Sequence, residues 1–434
     1  MRKIFPLLLT LLLISCSQKE TKPDMNPIAE NFVKLVLKVG QYDPAVVDAY
    51  HGPEEWKPAE LSEEQKKNYP LNNFIKEVET LKSSLDKIEV VNLSKEEAMR
   101  KIFLSKQLIA IKARIEMIGG KKYKFDEESK KLYDEIAPHY EQEHFTEILT
   151  ELDKLLPGKG DVAKRFEDYR NQFVIPIEKL DTVFMTAIEE GRKRTLQYIP
   201  LPEKESFIVE YVKGKPWGAY NWYKGNNFSV IQVNTDLPVY IDRAVDLACH
   251  EGYPGHHVYN LLLEKNLLKD KKWMEFSIYP LFSPTSLIAE GTANYGIKVA
   301  FPGEERIKYE KEFLFPLAGL DATKAEEYYK ILELFDKLNF ARNEASRKYY
   351  DGEFTKDELQ NWLVEYCLST PDRAAKSVDF IDTYGSYIIN YNHGQQMVKK
   401  YIEKRGGTKD NPSKRWELFT DLISKPYTPS DLKE

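Results

Sequence analysis

Cysteine is scarce in this sequence, with three residues in 434, and this excludes a scaffold held together by disulfide bonds. We expect Cys249 and Cys367 to be buried as small apolar residues rather than joined to each other. An excess of positive charge is also lacking, because 63 lysines and arginines stand against 69 aspartates and glutamates. Nucleic-acid binding needs a basic face that neutralises phosphates, so nucleic acid is not expected as a partner.

A run of roughly 18 apolar residues, long enough to span a membrane, is also lacking. The N-terminal run over residues 7–14 is short, follows Arg2 and Lys3 and precedes Cys16, which predicts a secretory signal. Its end resembles a bacterial lipobox, which implies a signal peptide over 1–15, a lipid on Cys16 and a tether over 16–25. Cleavage near Ser15 without lipid is the alternative. We expect a lipoprotein of the bacterial cell envelope, at the outer membrane and facing the periplasm or the cell surface.

Apolar residues recur at three- and four-residue spacing through most of the chain, which predicts α-helices. The helical segments before residue 200 are 28–39, 74–85, 95–117, 145–156 and 177–197. Between residues 207 and 233, three short β-branched and aromatic runs predict a small antiparallel sheet. Helical periodicity returns from residue 240. The predicted fold class is therefore mainly α, with a helical part over 26–200 and a sheet-plus-helix part over 201–434 that together form one domain.

Histidine is rare as well, yet three of the seven histidines fall within residues 250–257. His250 and Glu251 open this segment, and Glu290 follows on a later helical stretch. Two imidazoles and one carboxylate are the ligand set of a catalytic zinc ion, which keeps one position for water. Glu251 directly follows the first ligand and is placed to take a proton from that water. We therefore predict one zinc ion bound by His250, His256 and Glu290, with Glu251 as the base.

The second histidine ligand has two candidates. In the usual zinc-peptidase helix the ligands lie four residues apart on one face, but the residue four after His250 is Pro254, which cannot bind metal and disrupts a helix. A bend at Pro254 and Gly255 brings His256 to the ligand position. His257 shares the face of His250 on an unbroken helix but lies about 10 Å further along the axis, and it is the alternative ligand. The histidine left over is expected to support a ligand or to contact substrate.

Other residues are candidates for supporting roles. Asn294 lies four residues after Glu290, on the same helix face, and could hydrogen-bond a ligating histidine and hold its tautomer. Asp246 competes for this role, and a solvent-facing Asn294 is the alternative. Tyr391 is the candidate donor to an oxyanion, and His393 is a candidate substrate contact.

The two motifs resemble those of a bacterial domain-of-unknown-function family of presumed zinc metallopeptidases. That family is marked by His-Glu-x-x-Pro-Gly-His-His and by Glu-Gly-x-Ala-x-Tyr, which stand here at residues 250–257 and 290–295. The family is distantly similar to the helical Taq-type carboxypeptidases. The resemblance extends from about residue 26 to the C-terminus and implies a helical protein with a deep cleft. Thr292 departs from the tryptophan that members often have, and this affects the expected shape of the pocket.

The resemblance also implies how a peptide substrate binds, since relatives place a strand edge beside the metal and the peptide adds to it. Residues 228–233 are the candidate edge, and an internal strand is the alternative. Arg342 and Arg347 could bind a substrate carboxylate, with surface ion pairs as the alternative.

The leading hypothesis is a lipid-anchored zinc hydrolase that acts on peptide bonds. A hydrolase of a non-peptide amide or ester uses the same water attack and stays open. A non-catalytic, anchored binding protein with a structural metal is the third hypothesis, and it is disfavoured because structural zinc usually has four protein ligands.

Overall fold

The computed structural model describes residues 24–215 and 217–433. The predicted signal peptide and the lipidation site Cys16 lie outside these residues. Helices dominate the described chain and small sheets accompany them, so the predicted mainly α fold class is confirmed. Among the described residues, no helix has both the length and the apolar character needed to cross a bilayer.

The helices before the main sheet form the N-terminal part of the protein. They are α1 (Asn26–Gly40), α2 (Glu63–Lys66), α3 (Leu71–Asp86), α4 (Lys95–Ile118), α5 (Phe125–Tyr133), α6 (Gln142–Leu155), α7 (Val162–Arg170) and α8 (Ile177–Leu196). The long helix α4 begins at a capping box, in which the Ser94 hydroxyl accepts from the Glu97 N–H and the Glu97 carboxylate accepts from the Ser94 N–H. Helices α1, α3 and α4 bury their apolar faces against one another in a separate cluster.

The helices after the main sheet surround the second, larger core. They are α9 (Asp242–Leu247), α10 (His256–Leu263), α11 (Pro284–Ala300), α12 (Glu304–Tyr309), α13 (Phe315–Ala318), α14 (Ala325–Lys337), α15 (Asn339–Tyr350), α16 (Lys356–Tyr366), α17 (Pro371–Tyr384), α18 (Ile389–Lys404) and α19 (Pro412–Leu422). Helix α11 is buried on almost every side. A helix whose residues are apolar or small on every side is typical of the interior of a large protein. Helix α11 accordingly lies at the centre of this core.

The main sheet is mixed rather than antiparallel as predicted. Its strands β2 (Ser206–Val212), β3 (Ala219–Tyr223) and β4 (Phe228–Asn234) lie in the order β2-β4-β3, with β3 antiparallel and β2 parallel to β4. Asn226 and Asn227 adopt positive φ and close a tight turn between β3 and β4. At the end of β4, the N–H groups of Asn234 and Thr235 donate to the carbonyls of Gly218 and Val212, respectively. A separate antiparallel pair joins β1 (Val47–Tyr50) to β5 (Ile278–Pro280), although β5 lies far along the chain.

Helices α11 and α18 approach each other very closely at two glycines. A Cβ atom on Gly291 would fall 2.6 Å from the carbonyl carbon of Gly394, and one on Gly394 would fall 2.9 Å from the Leu287 carbonyl oxygen. Any side chain at either position therefore separates the two helices. This contact matters for the site because Glu290 stands on α11 beside Gly291.

We predict that Gly291→Ala lowers the free energy of unfolding by about 1–3 kcal/mol, because overpacking at a tight contact forces backbone shifts. Urea denaturation followed by circular dichroism measures the change. Gly218→Ala is the matched control, since a Cβ there meets no atom within 4 Å. Equal stability of the two variants would contradict the close approach.

Candidate metal centre

The bend predicted at Pro254 and Gly255 is present. Helix α9 continues into a wider π-helical turn over Ala248–Gly252, and α10 begins at His256. Between them the chain turns so tightly that a Cβ on Gly255 would lie 1.9 Å from the His250 carbonyl oxygen, so only glycine fits. The turn brings the imidazole rings of His250 and His256 to a centroid distance of 4.6 Å, perpendicular to each other.

Helix α11 supplies the carboxylate that completes the group. Glu290 Oε2 lies 3.2 Å from His250 Nε2 and 3.6 Å from His256 Nε2. The ligand atoms that the three side chains offer all lie within 4.8 Å of one another. Oε2 is buried without a donor in hydrogen-bonding geometry, while Oε1 accepts a hydrogen bond of 2.9 Å from the Tyr387 hydroxyl. Two imidazole nitrogens and an orphaned carboxylate oxygen are a donor set that fits a divalent metal ion.

The electrostatics keep Glu290 ionised, as a metal ligand must be. Burial raises the pKa of Glu290, but the imidazoles of His250 and His256 outweigh it and hold that pKa well below its usual range. The Glu290 carboxylate also raises the pKa of His256 to about 8 against the opposing effect of burial. The Glu290 carboxylate therefore attracts both imidazoles.

Asn294 lies where its spacing from Glu290 predicted. Its Oδ1 is 3.2 Å from His250 Nδ1, and its amide nitrogen donates to the Tyr391 carbonyl at 3.3 Å. This contact assigns the proton of His250 to Nδ1 and leaves Nε2, the atom facing Glu290, free to bind a metal. The competing candidate, Asp246, pairs instead with Arg243 and Arg306.

Glu251 is almost fully buried and lines the same cavity as the candidate ligands. Burial raises its pKa, and the neighbouring His250 and His256 only partly offset this effect. A carboxylate with a raised pKa is a better proton acceptor near neutral pH. The backbone carbonyl of Glu251 accepts a 2.6 Å hydrogen bond from Asn221 Nδ2, which ties the end of the π-helical turn to β3.

The cavity has a volume of about 820 Å³, and Tyr391 and Arg342 both line it. The Tyr391 ring packs against Tyr387 at a centroid distance of 5.8 Å. Arg342 makes no ion pair within the described chain. The structure thus brings Tyr391 and Arg342 to the cavity that contains the candidate metal ligands, and leaves the role of each as a prediction.

Three other candidate residues are held by partners outside the group of candidate ligands. Fully buried His257 lies with Nδ1 2.8 Å from Ser229 Oγ and Nε2 3.0 Å from Glu205 Oε2, and it is not part of the group formed by His250, His256 and Glu290. Successive side chains on a helix diverge by about 100°, and only one histidine of the pair can face Glu290. His393 is buried with Nε2 3.2 Å from Glu135 Oε2, outside the cavity lining.

Arg347 is the third. It is held in the interior by Asp126, Glu344 and the Ala137 carbonyl and lies outside the cavity lining, so it forms ion pairs as the alternative proposed, although in the interior rather than at the surface. Cys249 and Cys367 are buried and unpaired, which confirms the expectation for both.

The candidate strand edge is also corrected. Residues 228–233 belong to β4, the central strand, whose backbone pairs with β2 on one side and β3 on the other. Within the main sheet, the strand that combines a free edge with a place in the cavity wall is β3. The predicted edge lies on the wrong strand because β2 crosses over to pair in parallel with β4. The short β-branched and aromatic runs in the sequence did not indicate this crossover.

Two contacts of the site were not predicted from the sequence. Tyr387 holds Glu290, and Asp48 on β1 accepts a hydrogen bond from Tyr220 on β3 inside the cavity. Burial raises the pKa of Asp48 to about 6 even though that hydrogen bond lowers it. Tyrosine is abundant, with 27 residues, so no local signal separates Tyr387 from its neighbours.

Comparison with known proteins finds no matching family model and no matching curated protein. Among solved structures, the chain is similar to a presumed lipoprotein from Colwellia psychrerythraea, with a TM-score of 0.51 and 16% identity, covering 93% of this chain and 73% of that one. An M32 carboxypeptidase from Deinococcus radiodurans R1 has a TM-score of 0.47 and 12% identity, with 94% and 92% covered. A presumed lipoprotein of unknown function from Shewanella oneidensis has a TM-score of 0.41 and 14% identity, with 81% and 72% covered. The Colwellia likeness supports the mainly α fold.

The adjacent histidines give a sharp prediction. We expect His256→Asn to abolish tight binding of a divalent metal, because it removes one of three ligands. His257→Gln should retain stoichiometric metal but lower the free energy of unfolding by about 1–3 kcal/mol, since it disturbs buried hydrogen bonds. Metal content after dialysis and urea denaturation test the pair. Metal loss in His257→Gln with retention in His256→Asn would reverse the assignment.

Proposed function

We propose that this protein is a zinc-dependent hydrolase that cleaves peptide bonds. The observation that carries the proposal is the convergence of His250, His256 and Glu290 in a large cavity that Glu251 also lines. Three protein ligands, rather than the four of a structural site, are typical of catalytic zinc. The resemblance of the two sequence motifs to presumed metallopeptidases supports the same function.

Each residue of the site has a separate role in the proposed reaction. When bound by His250, His256 and Glu290, zinc supplies a Lewis acid that polarises a carbonyl and makes water a nucleophile near neutral pH. Glu251 accepts the proton of the attacking water and passes it to the leaving amine. Asn294 holds His250 in the required tautomer, and Tyr391, on the cavity wall, is the proposed donor to the oxyanion.

Strand β3 is the proposed binding edge for an extended peptide. It lies at one side of the sheet, lines the cavity and is tied to the catalytic segment by the hydrogen bond from Asn221 to the Glu251 carbonyl. Backbone groups on such an edge pair with any extended chain, so they select a peptide over a small ester. This observation favours peptides over non-peptide amides or esters.

The structural-metal hypothesis requires a fourth ligand, and adjacent Cys249 is unsuited to the task. Its side chain is fully buried and faces α8, since its sulfur lies 3.7 Å from the position of a Cβ added to Gly191. Burial also raises the pKa of the Cys249 thiol, which disfavours the thiolate that zinc binds. These contacts favour a catalytic site with an open position.

Glu251→Gln tests the proposal. We expect one zinc ion per chain in the wild type and in this variant, with loss of at least about a hundredfold in turnover of a mixed peptide library, because general-base catalysis contributes about 10²–10⁴-fold. Metal analysis and mass spectrometry of the products give the two readouts. A wild type that binds no zinc after reconstitution, or an active Glu251→Gln variant, would end the proposal.

We also propose that a lipid on Cys16 anchors the protein in the cell envelope, most simply at the outer membrane. The support is the lipobox-like end of the N-terminal run, and the similar Colwellia protein is itself described as a presumed lipoprotein. Cys16→Ala should move the protein from the detergent phase to the aqueous phase in Triton X-114 partitioning. Cys249→Ala is the control, and an unchanged distribution of Cys16→Ala would contradict the anchor.

A further inference from the structure

A group of arginines lines the cavity away from the candidate metal ligands. Arg170 and Arg373 stack on the ring of Tyr240, with guanidinium carbons 4.0 and 5.5 Å from its centroid. Arg243 follows within α9 and also lines the cavity. We call Arg170, Arg243 and Arg373 the arginine cluster. The proposed hydrolysis does not use it.

The charges of the arginine cluster are only partly compensated. Arg170 pairs with Asp242 at 3.1 Å, and Arg243 pairs with Asp246 at 3.0 Å. Asp246 is shared, because Arg306 lies 2.8 Å from its other oxygen. Arg373 makes no ion pair within residues 24–215 and 217–433.

Arg373 instead donates a 3.2 Å hydrogen bond to the Pro238 carbonyl oxygen. Burial lowers the pKa of Arg373, and the neighbouring charges of Arg170 and Arg243 lower it further. Repulsion of this kind is relieved by an anion bound among the guanidinium groups. Arg342 also lines the cavity without an ion pair in the described chain, but it does not share the Tyr240 ring with Arg170 as Arg373 does.

The position of the cluster relative to the candidate metal site follows from two helices. Arg243 precedes His250 by seven residues along α9 and the π-helical turn, which corresponds to about two turns and about 10 Å along the axis, and both residues line the cavity. Along α17, Lys376, Ser377 and Phe380 line the cavity between Arg373 and Tyr384. One continuous cavity wall therefore connects the cluster to the metal end.

This separation matches a short piece of peptide. An extended chain rises about 3.3 Å per residue, so about 10 Å corresponds to about three residues. The metal end itself is acidic, since Asp48, Glu251 and Glu290 all line it. The arginine cluster offers guanidinium donors to a substrate carboxylate, whereas the carboxylates at the metal end offer none.

Resting on the proposed peptidase function, we propose that Arg373, with Arg243, binds the free α-carboxylate of a peptide whose scissile carbonyl lies at the His250, His256 and Glu290 site. The protein then releases dipeptides or tripeptides from the C-terminus of its substrates. Water supplies the oxygen that joins the carbonyl carbon as the C–N bond breaks. The released fragment leaves with its new amino group protonated at the expense of that water.

The test uses the zinc-reconstituted full chain and N-acetylated, randomised hexapeptides, prepared once as free acids and once as C-terminal amides. We expect the free acids to lose two or three residues and to have kcat/KM about ten- to a hundredfold above the amides, as for a charge-assisted hydrogen bond. In Arg373→Gln this preference should shrink to about twofold or less, mainly through KM. Arg373→Lys should recover part of it by keeping the charge.

Arg405→Gln is the matched control. Arg405 also makes no ion pair in the described part of the chain, but it lies outside the cavity lining and stacks on Tyr401. This variant should keep the full preference. Circular dichroism of each variant checks that the fold is retained.

Release of single residues, internal cleavage, or loss of the preference in Arg342→Gln but not in Arg373→Gln overturns the inference. Equal turnover of acids and amides overturns it while the peptidase function stands. If neither is cleaved, the peptidase function fails, and the binding of fluorescently labelled acids and amides then tests the carboxylate site by itself. If the wild type binds the acid more tightly than the amide and Arg373→Gln does not, the carboxylate site is supported without the peptidase function. Equal binding of acid and amide by the wild type refutes the carboxylate site.

Discussion

The attraction between the Glu290 carboxylate and the two imidazoles is the interaction on which this structure depends. An ionised carboxylate as buried as this one is destabilising unless charged or hydrogen-bonding groups surround it. Here His250 and His256 face one oxygen, and Tyr387 donates to the other. The carboxylate must also be held in place, and the close packing of α11 against α18 does this, because Gly291 permits the backbones to touch directly beside Glu290.

The imidazoles can reach one carboxylate only because the helix that bears them is interrupted. A regular helix places residues six apart on different faces, so His250 and His256 would diverge. The π-helical turn and the close passage of Gly255 over the His250 carbonyl bring them together again. Next to them, His257 is fixed by Ser229 and Glu205. A residue that looks like a spare ligand therefore anchors the start of α10.

The sequence was informative where chemistry is local and silent where it depends on distant packing. Helix periodicity, the proline-glycine bend and the four-residue spacing of Asn294 from Glu290 are all short-range patterns, and each led to the observed arrangement. The partners of His257 and His393 come from residues 28 or more positions away, so nothing near those histidines in the sequence showed that they were engaged. Likewise, the parallel pairing of β2 with β4 depends on which side of β4 each connection takes.

The two ends of the cavity carry different charged groups, and the net charge of the chain does not show this difference. Overall the chain is mildly acidic at −6, yet the cavity has carboxylates at the metal end and arginines around Tyr240. In a partly buried cavity such charges interact more strongly than they do in water. Under the proposed function, a peptide with a free C-terminus would be oriented before any side-chain preference acts, because the arginine cluster would bind its carboxylate.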